Sequence, residues 1–351
     1  GGRTSPTLTG VSLDEYAPRH IEAESQSPQQ REVLMNRARN LLPLLSLASL
    51  FSAPLLTQSG CGDGVDPSSP SQSQLTEQAP PPEQRFCSGG PCFNMLSSSE
   101  APATLYGLAA NDLWGLGGNG AIINWDGTTW RRFPSPTTSF INSAWGSAKD
   151  NIWAVGNSGT LIKWNGTAWL KVSSPSIPTG VSFTDVWGTS ASDIWVVGTE
   201  GVILRYNGTS WTSMSTAAIN NLYTVWASST TNAWIGGELG MLLRWNGTSL
   251  SEVSSGGSED IRQIRGGSAN RVWMIIGGQA RLWNGTSWSG PISGAYGSKL
   301  FVLNDNAAWL VSGYYTTFWN GTTWIQTRLS TDYGNSIWFE STSSGWMTTS
   351  Y

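Results

Sequence analysis

The stretch Trp145–Trp169, WGSAKDNIWAVGNSGTLIKWNGTAW, contains one full unit of a pattern that runs through most of the chain. Four aromatic positions, Trp145, Trp153, Trp164 and Trp169, are separated by three groups of turn formers: Lys149-Asp150-Asn151, Gly156-Asn157-Ser158-Gly159 and Asn165-Gly166. Asn-Gly favours a type I′ hairpin because both central residues need positive φ. The residues between the turns are rich in Trp, Ile, Leu and Val, which suit a pleated, half-buried surface. Three turns imply four short strands, so the unit reads as a four-stranded antiparallel sheet.

The unit repeats in register. Its second aromatic recurs as Trp114, Trp153, Trp195, Trp234, Trp273, Trp309 and Trp346, at steps of 36 to 42 residues. Eight residues before each stands Tyr106, Trp145, Trp187, Trp226, Arg265, Phe301 or Trp338. The third column is Trp125, Trp164, Tyr206, Trp245, Trp283 and Trp319; the fourth is Trp130, Trp169, Trp211, Leu250, Trp288 and Trp324. Asp126-Gly127, Asn207-Gly208, Asn246-Gly247, Asn284-Gly285 and Asn320-Gly321 repeat the hairpin turn. Four-stranded units of about 40 residues describe propeller blades. A blade cannot bury both faces alone, so several must close in a ring. Each buried Trp removes roughly 150–250 Å² from water, enough to join blades with few charges, and charged residues make up only 12% here.

The fold class expected is therefore all-β, a β-propeller of four-stranded blades. Seven second-column Trp predict seven blades, near 104–140, 141–180, 181–220, 221–258, 259–294, 295–330 and 331–351 plus 92–96. No third column follows Trp346, so the seventh blade is expected to be incomplete and to lack its third strand. Phe93 lies 13 residues before Tyr106, the spacing of a fourth column, and predicts that 92–96 closes the ring as the outer strand. A six-bladed ring with a frayed remnant is the alternative.

These repeats resemble the Trp-rich propeller repeats, of W-N-G-x-x-W type, of surface lipoproteins in Gram-negative bacteria. The resemblance covers 92–351 and implies architecture, not activity. Trp125–Trp130 is also similar to the Asp-box turn of sialidase-like propellers. The Ser/Thr-x-Asp framing is absent, however, and the other units have Asn, so no sialidase chemistry is carried over.

The region before the repeats has another character. Met35-Asn36-Arg37-Ala38-Arg39 and the apolar run 41–56 read as an export signal, too short to span a membrane comfortably. Ser59-Gly60-Cys61 resembles a lipobox and implies a lipoprotein-type signal over 35–61 with lipidation of Cys61; plain secretion is the alternative. Residues 1–34 read as a disordered upstream extension, and 62–91 as a Ser/Pro/Gln-rich tether. Cys87 and Cys92, separated by Ser-Gly-Gly-Pro, are expected to form a small disulfide in an oxidising compartment. The protein is thus expected to be exported to the cell envelope as an outer-membrane lipoprotein, held to the membrane through its N-terminal lipid, and monomeric.

Composition narrows the chemistry. The one histidine, His20, precedes the signal, so no His-based nucleophile or metal site is expected in the repeats. Net charge −4 and pI near 5.1 argue against nucleic acid as a partner. No catalytic residues, metal or cofactor are predicted. Asn165, Asn207, Asn246, Asn284 and Asn320 head Asn-Gly-Thr triplets that the hairpin turn explains without glycosylation, and Asp112, Asp150 and Asp193 read as turn acceptors. The second-to-third strand turns and the fourth-to-first connections share one face, where propellers bind ligands. Its candidates are Asn157, Glu200, Glu238, Gln279, Tyr314 and Tyr315. Arg265, standing in an aromatic column on an inner strand, is a candidate for the central channel. The leading function is a non-catalytic surface scaffold for a protein or glycan. Alternatives are a multivalent lectin and, more remotely, a glycan hydrolase or lyase centred on Glu200 and Glu238.

Overall fold

The computed structural model describes residues 83–86, 93–97, 102–214, 219–329 and 333–350. Residues 1–61, Cys61, Cys87 and Cys92 lie outside the described residues. Among the described residues no helix is long and apolar enough to cross a membrane.

The chain is an all-β propeller. Its second blade shows the plan: strands Ile141–Ala148, Asn151–Gly156, Thr160–Trp164 and Trp169–Lys171 pair in sequence order as an antiparallel sheet. The first strands lie innermost, where each touches the first strands of its neighbours in cyclic order. The turns behave as their sequence demands. Asn165 Oδ1 accepts hydrogen bonds from the Thr167 N–H, the Thr167 hydroxyl and the Ala168 N–H, at 3.0, 2.9 and 2.9 Å. Gly166 takes φ +92, a region open to glycine. The Thr of each Asn-Gly-Thr triplet is therefore a turn residue. At Asp126, the Thr128 hydroxyl and two backbone N–H groups hold the carboxyl well below the usual carboxylate range.

Six sheets have four strands, where seven blades, the last of them incomplete, were expected. The fifth, Ile261–Ser268, Arg271–Ile276 and Gln279–Trp283, has three. Its outer edge carries the isolated bridges Trp283–Trp288 and Gln279–Tyr296 and scattered backbone bonds, such as Ser289 N–H to Leu282 O, but no fourth strand. Gly290, Pro291 and Gly294 lie in this segment; proline lacks the N–H a ladder needs and glycine weakens a strand. The closing sheet also departs from expectation. Phe93–Ser97 is its third strand, not its outer one, and pairs in parallel with Ser344–Ser350. Glu83–Phe86, expected in the tether, is the fourth strand, antiparallel to Phe93–Ser97. Short, charged strands such as EQRF are typical of sheet edges.

Aromatic triads join the blades. Trp153 of the second blade packs 5.2 Å from Tyr206 and 5.4 Å, edge-on, from Trp211 of the third. Trp114 with Trp164 and Trp169, Trp234 with Trp283 and Trp288, and Trp346 with Trp125 and Trp130 repeat the arrangement. Edge-to-face packing of this kind matches the aromatic quadrupole. The second-column Trp are buried, so they are interblade core and not open stacking platforms. The first column supplies latches. Tyr106 OH donates to Gly146 O, Trp187 Nε1 to Ala227 O and Trp338 Nε1 to Gly107 O. The last of these fastens the closing sheet to the first blade. Burial raises the pKa of Tyr106, which keeps its hydroxyl protonated to donate.

Candidate binding face and central channel

The innermost strand of each blade is a sheet edge, and its unpaired backbone groups need partners. The sequence meets this need with a column two residues before the first aromatic: Thr104, Ser143, Asp185, Thr224, Gln263, Lys299 and Ser336. Every member is polar, and several accept a backbone N–H from the following blade. Ser336 Oγ accepts from Leu105, Thr224 Oγ1 from Ile264 and Gln263 Oε1 from Leu300, at 3.1, 3.0 and 2.7 Å.

Asp185 is the hub. Its carboxylate accepts from the Ser143 hydroxyl (2.7 Å) of the second blade and from its own blade's Val186 N–H. From the fourth blade it accepts the Thr224 hydroxyl (3.1 Å) and the Val225 N–H. The Arg265 guanidinium of the fifth blade completes the set with a two-pronged contact at 3.0 and 3.2 Å. Arg265 also lies 4.9 Å from the Trp187 ring centre and donates to the carbonyls of Val225 and Ile264. It thus stands among the inner strands, in the channel wall, as a cross-blade clasp. Lys299 has no acceptor to offer and makes no ion pair. It keeps solvent contact along the channel, yet protein atoms crowd its ammonium; that desolvation lowers its pKa, with Arg265 adding to the effect and Asp185 opposing it.

The face expected to bind ligand carries its own network. Glu238 Oε1 accepts from Asn221 Nδ2 (2.7 Å) and Tyr223 OH (2.9 Å), and Oε2 accepts from the Asn221 N–H. These bonds, the Asn221 amide foremost, hold Glu238 below the usual carboxylate range. Asn221 Oδ1 accepts the Glu200 N–H. Glu200 itself is exposed, in a turn where it adopts φ +59; Asn119, Ser158 and Leu239 take the same left-handed conformation in equivalent turns. On the other side of Glu238, Arg262 lies over the Tyr223 ring at 4.4 Å and pairs with Asp260 at 2.6 Å. An ionised Glu238 already serving three donors is unsuited to give a proton, for which burial must raise a carboxyl's pKa.

The remaining candidates are dispersed. Asn157 Oδ1 accepts from Asn142 Nδ2 at 2.9 Å. Gln279 begins the third strand of the fifth blade. Tyr314 is exposed and meets Tyr333 edge-on at 5.8 Å, while Tyr315 starts the neighbouring strand. Asp193 accepts the Thr189 hydroxyl across its turn at 2.6 Å, as a turn acceptor does, and has a second role. It is buried and forms an ion pair with Arg205 at 2.8 Å. Among the described residues no group of His, Cys, Asp and Glu could hold a metal ion. Sequence reading missed the polar channel column and the exposed face residues Phe140, Ile219, Leu239, Tyr296 and Tyr333. The column's signal, polarity two places before each first aromatic, is present but spread over five residue types.

No protein-family profile matches the sequence, and no curated protein matches it. Solved structures do. YCF48 bound to D1 peptide is 18% identical over 71% of this chain and 90% of that one, with TM-score 0.57. YCF48 from Cyanidioschyzon merolae is 15% identical over 76% and 95%, with TM-score 0.56. The extracellular domain of a putative hybrid two-component system from B. thetaiotaomicron is 15% identical over 73% of this chain but only 39% of that one, at TM-score 0.58. At such identities the likeness carries the fold alone, a β-propeller.

Proposed function

We propose that the chain is a non-catalytic binding scaffold whose turn-rich face docks a protein partner at the cell envelope. One observation carries this reading. Of the ten exposed large hydrophobic residues among those described, seven (Phe140, Ile219, Leu239, Tyr296, Tyr314, Tyr315 and Tyr333) belong to that face's turns, connections or adjoining strand ends. Only Leu108, Leu170 and Ile325 lie elsewhere. Concentrated exposed apolar surface marks interaction sites, and aromatic residues are enriched in interface cores. Peptide binding by YCF48, named as such, is in keeping with a protein ligand. The N-terminal signal, with Cys61 as the lipidated residue, fits a scaffold held on an outer membrane. The burial of the second-column Trp removes the support that a multivalent lectin drew from that column, and Glu238, ionised and serving three donors, is unsuited to the acid's role in a hydrolase.

The test compares pull-downs from envelope extracts using the wild type, Tyr314→Ala/Tyr333→Ala and, on an outer strand, Leu170→Ala. A partner retained by Leu170→Ala and lost with the double variant supports the proposal. Retention by both variants, or glycoside cleavage that Glu200→Gln abolishes, overturns it.

A further inference from the structure

The repeat makes its own irregularities legible, and two of them converge on one cleft. At the third-strand position paired with the residue after the second-column Trp stand Ile123, Ile162, Leu204 and Leu243 in the first four blades and Thr317 in the sixth; the fifth blade has Arg281. An interblade position that is apolar in four blades thus carries a guanidinium. Its Nη1 donates to Ser255 O at 3.3 Å, but Nε is buried with no partner. Glu259, on the connection nearby, makes no ion pair with it.

The second irregularity is one blade earlier. Arg205 and Arg244 occupy equivalent positions, each lying over two indoles: Arg205 over Trp195 and Trp245, Arg244 over Trp234 and Trp283. Arg205 is neutralised by Asp193. The residue equivalent to Asp193 in the fourth blade is Asn232, whose Oδ1 is buried without a partner. Arg244 therefore keeps its aromatic bed and lacks its carboxylate.

Both arginines line one cleft of about 400 Å³ between the outer parts of the fourth and fifth blades, beside the edge that lacks a complete fourth strand. Hydroxyls of Ser254, Ser255, Thr286 and Ser287 and the indoles of Trp283 and Trp288 complete the lining, and no acidic residue belongs to it. Two guanidinium groups without an ion-pair partner among the described residues, in a chain of net charge −4, form a site for an anion, and pockets of a few hundred Å³ hold small molecules. We infer that this cleft binds a carboxylate-bearing sugar of the uronic acid type. Its carboxylate meets Arg244 and Arg281, its hydroxyls meet the Ser and Thr side chains, and its ring lies against the half-buried Trp288. The site opens on the outer side of the ring and reaches the protein-docking face only at the 253–256 connection.

The experiment titrates the whole chain with glucuronate, glucose and acetate, followed by Trp fluorescence and calorimetry. Saturable glucuronate binding, at least about tenfold tighter than glucose or acetate, is expected, as loss of a charge-assisted or a hydroxyl contact set gives. Arg281→Leu and Asn232→Asp each install the residue another blade already uses, so both should fold, as circular dichroism will report. Each should weaken glucuronate binding by about tenfold or more, the second by sequestering Arg244. Absence of saturable glucuronate binding, equal binding of glucose, equal binding of acetate, or unchanged affinity in Arg281→Leu each overturns the assignment. None of these outcomes depends on the protein partner.

Discussion

Replacing Asp185 with Ala tests the clasp on which four blades converge. The Arg265–Asp185 pair has side chains only 14% and 5% exposed, so removing the carboxylate strands a buried guanidinium. Breaking one side of such a pair costs about 3–5 kcal/mol. The Val186 and Val225 N–H groups also lose their acceptor, at roughly 1–3 kcal/mol each when no water replaces it. These costs overlap within one network and are not additive, so the expected loss is about 4 kcal/mol. Arg265→Leu alone leaves Asp185 with hydroxyl and backbone donors and should cost about 2 kcal/mol. Once either partner is gone the other adds little, so the double variant should also cost about 4 kcal/mol, a coupling of about 2 kcal/mol. Guanidinium unfolding of the full chain, followed by Trp fluorescence at constant m-value, gives all three numbers. A cost below about 1 kcal/mol for Asp185→Ala, or a coupling within about 0.5 kcal/mol of zero, would refute the clasp.

Gly107→Val should destabilise ring closure by about 1–3 kcal/mol, because a Cβ there would stand 2.4 Å from Trp338 Cε2; a lowered unfolding midpoint checks it. Asn165→Ala removes three turn bonds on an exposed hairpin and should cost about 1 kcal/mol, while Asn165→Asp, which the first blade already uses as Asp126, should be near neutral in the same assay. Lys299→Met should raise stability at neutral pH. Because burial lowers the folded pKa of Lys299 below its unfolded value, the unfolded chain binds more protons between the two; wild-type stability should rise with pH through that window, and the variant's advantage should shrink above it in melts run at increasing pH.

The blade plan was open to reading because it depends on local chemistry. Asn165-Gly166 and its equivalents specify hairpins, and Trp at fixed offsets from them specify the buried columns. Departures from the plan were visible only as departures. Arg265 stands out in an aromatic column, but its partner lies 80 residues away, across the register of two inner strands, where no local pattern reaches. Glu83–Phe86 escaped notice because an edge strand needs neither alternation nor apolar residues. The fifth blade's lost strand was foreshadowed by Gly290-Pro291, which the intact Trp288 masked. On the candidate face, Glu200 and Glu238 fall in equivalent turns as expected, but what separates them, the Asn221 side chain serving both, is a tertiary fact.

The parallel pairing of Asn94 with Trp346 also decides how the molecule can assemble wrongly. Until that pairing forms, the chain is an open arc with two raw ends, Trp125 and Trp130 at one and Trp338 and Trp346 at the other. These ends complement each other within one molecule and equally between two. A head-to-tail contact that fails to return on itself propagates without limit. Folding at low concentration therefore yields closed rings, and crowding of unfinished arcs yields linear polymers built from the same contacts as the native state.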